Sequence, residues 1–265
     1  MNFKSTNPNI SLIEDYYNHF EEENRLSTRH GQVEFLTTIK YILEILNNDK
    51  SKKIIDIGAG TGRYSVYLDS LGYDVTAVEL VQHNIDVFKN KKSNVKIHQG
   101  NALDLSMFND DTFDVTLLFG PMYHLLNKDE QLKALSEAKR ITKKDGFILI
   151  SYYMNEYAVI TYAIVKGHIL ECLNNGQLDE NYHTKPIDGD LYTMVRIEDI
   201  DEFNRLLNLK RYKIIAQDGA SDYIRSAITR LSEEQFQEYV KYHFSIAERP
   251  DLIGASSHVL DIVKK

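Results

Sequence analysis

Apolar positions along this chain keep two rhythms. Short unbroken runs read as buried strands, and longer stretches with apolar residues three and four apart read as helices. Ile54, Ile55 and Ile57 form the first run, and residues 74–78 the second. Residues 94–98, 112–119 and 147–151 predict three more strands. Between them, Tyr64, Val66, Leu68 and Leu71 predict a helix closed by Gly72, and residues 81–90 and 128–141 predict two others. This alternation of strand and helix predicts an α/β fold on a parallel sheet. Further on, residues 211–217 and 258–263 read as a sixth and a final strand, with helices over 198–207 and 233–247.

Two helices precede the first strand. Ser11 with Glu14 three residues on has the form of a capped start, followed by Leu12, Ile13, Tyr16, Tyr17 and Phe20 and an acidic end at Glu21–Glu23. The second spans residues 32–46, with Phe35, Leu36, Ile39, Ile42, Leu43 and Leu46 on one face. After the fifth strand, residues 154–189 interrupt the alternation. Residues 157–173 read as one helix, and a polar, turn-rich stretch follows. Residues 191–197 then read as a strand of this cap. An insertion there predicts a lid. The tyrosines gather around it, so Tyr152, Tyr153, Tyr157, Tyr182, His183 and Tyr192 are candidate pocket walls, with ordinary packing or exposure as the alternative.

Chemistry concentrates between the first two strands. Gly58, Gly60 and Gly62 follow the first strand at every second position. Glycines permit unusual dihedrals and close approach of a ligand, and the helix that begins there offers unpaired N–H groups. Asp56 stands before the turn, and Glu79 ends the second strand, twenty-one positions after Gly58. That places an acid to accept both hydroxyls of a ribose at the carboxyl edge of the sheet. The alternatives are a turn with no ligand and a nicotinamide dinucleotide site. Arg63 occupies the place of the third dinucleotide glycine, which counts against the latter.

The D-x-G-x-G-x-G spacing from Asp56 to Gly62 resembles the first motif of the class I, Rossmann-like S-adenosylmethionine-dependent methyltransferases. The resemblance covers residues 53–151 best and resumes from about 198. It implies a doubly wound α/β fold with a seven-stranded mixed sheet, N-terminal helices over residues 1–50 and a helical cap at 154–190, all in one domain. It implies S-adenosylmethionine as cofactor. Asp56 would hold the methionine ammonium, Gly58, Gly60 and Gly62 would face the methionine part, and Glu79 would bind the ribose. Asn101 and Ala102 would meet the adenine; the family's usual residue at the first of these is aspartate, and Asp104 is a weaker candidate for that role. Phe119 at the end of the fourth strand would also contact the cofactor. Tyr17 belongs to a Tyr-Tyr pair that in similar enzymes folds over the cofactor, with core packing as the alternative.

The loop after the fourth strand, Gly120-Pro121-Met122-Tyr123-His124, would face the methyl acceptor. Nucleic-acid amino methyltransferases have Asn, Asp or Ser first in this loop; Gly120 has no side chain to accept from a base amine. Tyr123 and His124 are the candidate catalytic residues, with His124 either a base or a histidine bonded to the loop backbone. The catechol-type enzymes of the family need a metal-binding carboxylate in this region; none follows Phe119 before Asp129, so the resemblance implies no metal. Arg29, His30 and Glu34 could reach the site or lie on the surface.

Composition narrows the partners. A formal charge of −8 does not suit a nucleic-acid protein, and the run from Gly120 to Leu125 resembles that of a subgroup of small-molecule methyltransferases, which implies a small-molecule acceptor. The single cysteine, Cys172, reads as a small apolar helix residue, with a catalytic thiol as the alternative, and its being alone points to a reducing compartment. No run approaches membrane-spanning length, and the start lacks an apolar signal region, which predicts a cytoplasmic protein without a membrane partner. Oligomeric state is not legible. The alternatives left open are an RNA or protein methyltransferase and a non-catalytic cofactor binder.

Overall fold

Six strands that run one way and a seventh that runs against its neighbours organise the molecule. The structure is a computed structural model and describes residues 8–19 and 22–265. The strands are β1 (Lys53–Ile57), β2 (Asp74–Glu79), β3 (Lys96–Gln99), β4 (Phe113–Leu118), β5 (Thr142–Tyr153), β6 (Lys210–Ala216) and β7 (His258–Lys264). They form one seven-stranded sheet in the order β3-β2-β1-β4-β5-β7-β6. β7 runs antiparallel to both of its neighbours. The order reverses between β1 and β4, and the crevice at such a reversal is where open α/β sheets bind ligands.

Each central strand is buried on both faces, so successive residues feed two cores. Ile55, Ile57, Leu118 and Ile150 join Ala134, Leu135, Ala138 and Ile141 of helix Lys128–Ile141, and Ile200 and Phe203 of helix Ile197–Leu206. Ile54, Val75, Leu117 and Leu149 join Phe35, Ile39, Ile42 and Leu46 of helix Arg29–Leu46 and Leu68 of helix Arg63–Ser70. Helix Arg29–Leu46 is therefore one of the covering layers of the sheet, and only the shorter helix Pro8–His19 ahead of it acts as a cap. Its start comes earlier than apolar spacing implies. Thr28 is the N-cap, accepting from Gly31 N at 3.2 Å. Phe20 and Glu21, expected at the end of the first helix, lie outside the described residues.

Three expectations change. β5 begins at Thr142 rather than Phe147, because Thr142 pairs with Phe113 and a register shift, with Asp145 at φ 63°, absorbs the expected turn. The helix expected over 157–173 is broken into Asn155–Ala158, a π-helical turn Val159–Ile164, and Ile169–Asn174. Thr161 bonds back to the Tyr157 carbonyl at 2.7 Å, and Gly167 at φ 81° ends the first piece. The strand expected at 191–197 is a single bridge. Val195 N donates to the Tyr153 carbonyl at 3.0 Å, and Thr193 N to that of Tyr123 at 2.8 Å. This segment thus lies across the carboxyl ends of β4 and β5, and it brings Tyr192 there.

Candidate active site

The glycine turn is shaped by what presses on it. Gly58, at φ 73°, gives its N–H to the Val78 carbonyl at 2.8 Å, and a Cβ there would stand 2.6 Å from the Pro121 ring. Gly62, at φ 80°, caps the helix, and its Cβ would stand 2.3 Å from the buried Phe88 ring. Gly60 N donates to Glu79 Oε2 at 2.8 Å, and Glu79 Oε1 accepts from Val81 N at 2.9 Å. Glu79 is in this way braced between the turn and the end of β2, at the rim of a cleft.

That cleft, of about 1190 Å³ and partly open to solvent, lies at the carboxyl edge of β1 and β4. It is lined by Asp56, Gly58, Gly60, Glu79, Asn101, Ala102, Phe119, Tyr17, Tyr123 and His124, so nearly every residue expected at the site meets there. Gly62 does not line it; the close approach that requires glycine at this position is to Phe88. Asn101 Oδ1 accepts from Leu103 N at 2.9 Å, which uses one of its two lone pairs to hold its own turn. Asp104 is turned to Ser106 N and lines a different, shallow surface.

The electrostatics ask for a cation. Asp56 is buried, and among the described residues its carboxylate accepts from Ser65 Oγ alone, at 2.6 Å. Burial, reinforced by the charge of Glu79, pushes its pKa up to about 6, with no basic side chain contributing against it. Asn84 Oδ1, also buried in the cleft wall, has no hydrogen-bond partner among the described residues. A ligand with a positive charge and hydroxyl groups suits both. S-adenosylmethionine fits such a site: Asp56 would hold its ammonium, and Glu79 and Asn84 its ribose.

His124 is fully engaged. Its Nδ1 lies 3.1 Å from the Leu191 carbonyl and its Nε2 2.9 Å from Tyr17 Oη. A carbonyl only accepts, so Nδ1 carries the proton and Nε2 accepts from the tyrosine. Burial lowers its pKa to about 4. The ring is therefore neutral at pH 7, and the bonded-histidine alternative describes it better than the base. The Tyr17 bond also ties helix Pro8–His19 over the cleft. Replacing Tyr17 with phenylalanine should cost about 1 kcal/mol of local closure and speed amide exchange in that helix roughly fivefold; unchanged exchange would remove this latch.

Beyond Tyr17, Arg25 and Tyr123, which belong to both walls, lies a second chamber of about 1050 Å³, partly open to solvent. Tyr153 and Tyr192 give it aromatic walls, and His30 and Glu34 enter from helix Arg29–Leu46. Asp218, Asp222, Arg225 and His258 complete it, and none of these four stood out in the sequence. The signal was there. β7 is antiparallel, so its amino end, preceded by Ser256-Ser257, reaches the same edge as the carboxyl ends of β4 and β5. His258 stands directly opposite Tyr153. Of the other expected walls, Tyr152 is buried in the core, stacked on Phe203, and Tyr182 and His183 lie outside the chamber, His183 against Asp199 at 3.0 Å. Arg29 pairs with Glu233 at 3.1 Å, away from both cavities. Cys172 is a free thiol buried within the lid itself, in one cluster with Ala163 and Leu178.

The family model described as a methyltransferase domain matches residues 55–150, the stretch that carries β1 to β5 and the cleft. These residues thus form a methyltransferase domain. Among curated relatives of this methyltransferase domain, a demethylmenaquinone methyltransferase of Renibacterium salmoninarum is 30% identical over 115 residues, covering 43% of this chain and 46% of that protein. A ubiquinone biosynthesis O-methyltransferase of Rickettsia bellii is 25% identical over 169 residues, covering 62% of this chain and 69% of that one. The chain thus spans about half the length of the first relative and about two thirds of the second. Among solved structures, a SAM-dependent methyltransferase of Thermotoga maritima superposes with a TM-score of 0.60 at 18% identity, covering 96% of this chain and 99% of its own. One from Archaeoglobus fulgidus gives 0.57 at 19% identity, covering 95% and 100%. These likenesses extend the methyltransferase fold through the N-terminal helices and the lid. No described helix is long and apolar enough to cross a membrane.

Proposed function

We propose that this chain transfers the methyl group of S-adenosylmethionine to a nucleophilic atom of a small-molecule acceptor held in the tyrosine-walled chamber. The observation that carries the reading is the junction of two cavities. The cofactor cleft and the chamber share Tyr17, Arg25 and Tyr123, so a ligand in each would meet behind the Pro121–His124 turn. Bound S-adenosylmethionine supplies an electrophilic methyl on a sulfonium. The chain supplies position: alignment of two bound reactants can be worth effective molarities of roughly 10⁵–10⁸ M. Tyr17 and the 191–195 segment cover the junction and exclude water. The quinone-pathway relatives act on small molecules by their names, which agrees with a chamber of this size.

A macromolecular acceptor would call for a basic surface beside Tyr123. The chamber there sets Glu34, Asp218 and Asp222 against Arg25 and Arg225, with no basic excess. Calorimetry with S-adenosylmethionine and its demethylated product, followed by transfer of labelled methyl into a metabolite extract, tests the reading. Heat of association and a labelled product of low molecular mass are expected. Binding of neither nucleoside, or label only in RNA or protein, would refute it.

A further inference from the structure

Resting on that reading, we propose that His258, oriented by Asp218, is the general base that takes the proton from a hydroxyl on an aromatic acceptor in the chamber. Its Nδ1 lies 2.7 Å from Asp218 Oδ2. Asp218 is itself buried and fixed through Oδ1 by Ser256 Oγ at 2.7 Å and by His258 N at 2.9 Å. A carboxylate on Nδ1 sets the tautomer and leaves Nε2 as the basic atom, the geometry of a base with its orienting acid. Nε2 has no hydrogen-bond partner among the described residues, and the ring lines the chamber. Tyr153 stacks on the imidazole at 5.3 Å between centroids, and Tyr123 stands tilted to it at 6.1 Å, so an acceptor reaching Nε2 meets aromatic faces and edges, which favour an aromatic ring.

The charges favour a neutral hydroxyl over an ammonium. Each carboxylate of the chamber is already engaged: Glu34 pairs with Arg25 at 2.7 Å and Asp222 with Arg225 at 3.1 Å, and Asp218 accepts from the Nδ1–H of the His258 ring. None is left to hold an ammonium. Glu34, Asp218 and His258 bring one ligand atom each within 4.8 Å, but the same pairings occupy them. In the reaction, the acceptor O–H proton passes to Nε2 and the oxygen's electron pair forms the new O–CH₃ bond. The S–CH₃ bonding pair stays on sulfur, and Asp218 stabilises the imidazolium that results.

His258 is faced by Asp218, Glu34 at 4.0 Å, Arg25, Tyr123 and Tyr153, with His30 and Asp222 on the far wall. Burial works to lower its pKa, and the two carboxylates outweigh burial and Arg25, so it ends above the ordinary histidine value. Transfer should therefore rise with pH and level off above that raised value, and Asp218→Asn should move the rising limb toward acid by about a unit.

The test uses phenol, 4-nitrophenol and benzylamine as probes, with the full-length protein. Imidazole NMR should show the His258 ring shifted by either phenol but not by benzylamine, and its titration lowered in Asp218→Asn. His258→Asn keeps a donor for Asp218 but lacks Nε2. It should lose about 10²–10⁴-fold in transfer to phenol, and much less to 4-nitrophenol, which is ionised already at about pH 8. No shift of His258 by millimolar phenol, equal transfer in His258→Asn, or activity abolished by EDTA and restored by a divalent cation would overturn the inference. If calorimetry finds no S-adenosylmethionine binding while His258 still responds to phenols, the methyltransferase reading fails and the chamber assignment stands.

Discussion

Arg211→Met should destabilise the fold by about 3–5 kcal/mol at pH 7, read from urea unfolding, because it strands a buried charge. Asp261 sits in the middle of β7, opposite Ile150 on one side and Ile214 on the other, and is wholly buried. Arg211 Nε donates to its Oδ1 at 2.6 Å, Asn204 Nδ2 to its Oδ2 at 2.6 Å, and Arg211 also reaches Asp201. Burial raises the Asp261 pKa even with the guanidinium pulling it down. Without Arg211 the carboxyl must either stay charged among apolar neighbours or take up a proton. Its folded pKa lies above its unfolded one, so the stability tied to its proton is present at low pH and lost as pH rises through the folded value. The defect should thus be largest near neutrality and shrink toward acid. Adding Asp261→Asn to Arg211→Met should recover most of it, since a neutral amide can still accept from Asn204. A defect below 1 kcal/mol, or one that does not vary with pH, would show that the pair is not what holds β6 to β7.

The central strands were legible because they are buried on both faces and so are written as short apolar runs bounded by turn residues. Helix Lys128–Ile141 matched residue for residue because Asn127 caps it, accepting from Glu130 N, and Thr142 turns the chain extended. The lid was less legible. Thr161 and Gly167 break a helix whose apolar spacing alone reads as continuous. The 191–195 segment looks like a strand but finds only one partner position, at the end of β5. The cofactor cleft was readable from one contiguous motif, since a βαβ unit places Asp56, the glycines and Glu79 together by local geometry. The chamber was not. Its residues come from helix Arg29–Leu46, the end of β5, the loop after β6 and the start of β7, and only the antiparallel course of β7 brings His258 opposite Tyr153. His124, within the expected acceptor loop, drew the role of base; in three dimensions its two nitrogens are committed to Leu191 and Tyr17.

Affinity for S-adenosylmethionine should rise with pH up to about 6 and then level off, and Asp56 should be the cause. Its pKa of about 6 belongs to the apoprotein, where burial penalises the anion and Glu79 adds to the penalty. A bound cation favours the anion, so below that value binding must expel a proton, and affinity should fall by about tenfold for each unit of pH. The same imbalance acts on the fold. The folded pKa exceeds the unfolded one of about 3.9, so the apoprotein loses stability from this carboxyl as pH rises from about 4 to 6, on the order of 3 kcal/mol. Asp56→Asn removes both effects while leaving an acceptor for Ser65 Oγ. The variant should melt at a higher temperature than the wild type at pH 7, yet bind the cofactor about 10–100-fold more weakly, with a flat pH profile between 5 and 7. Calorimetry across pH on the two proteins, beside their melting curves, checks every part. Stability and affinity are opposed at this residue because the cleft is built for a charge that the chain itself does not provide. An asparagine variant that lost both, or a wild-type affinity indifferent to pH, would mean that Asp56 does not face the cationic end of the ligand.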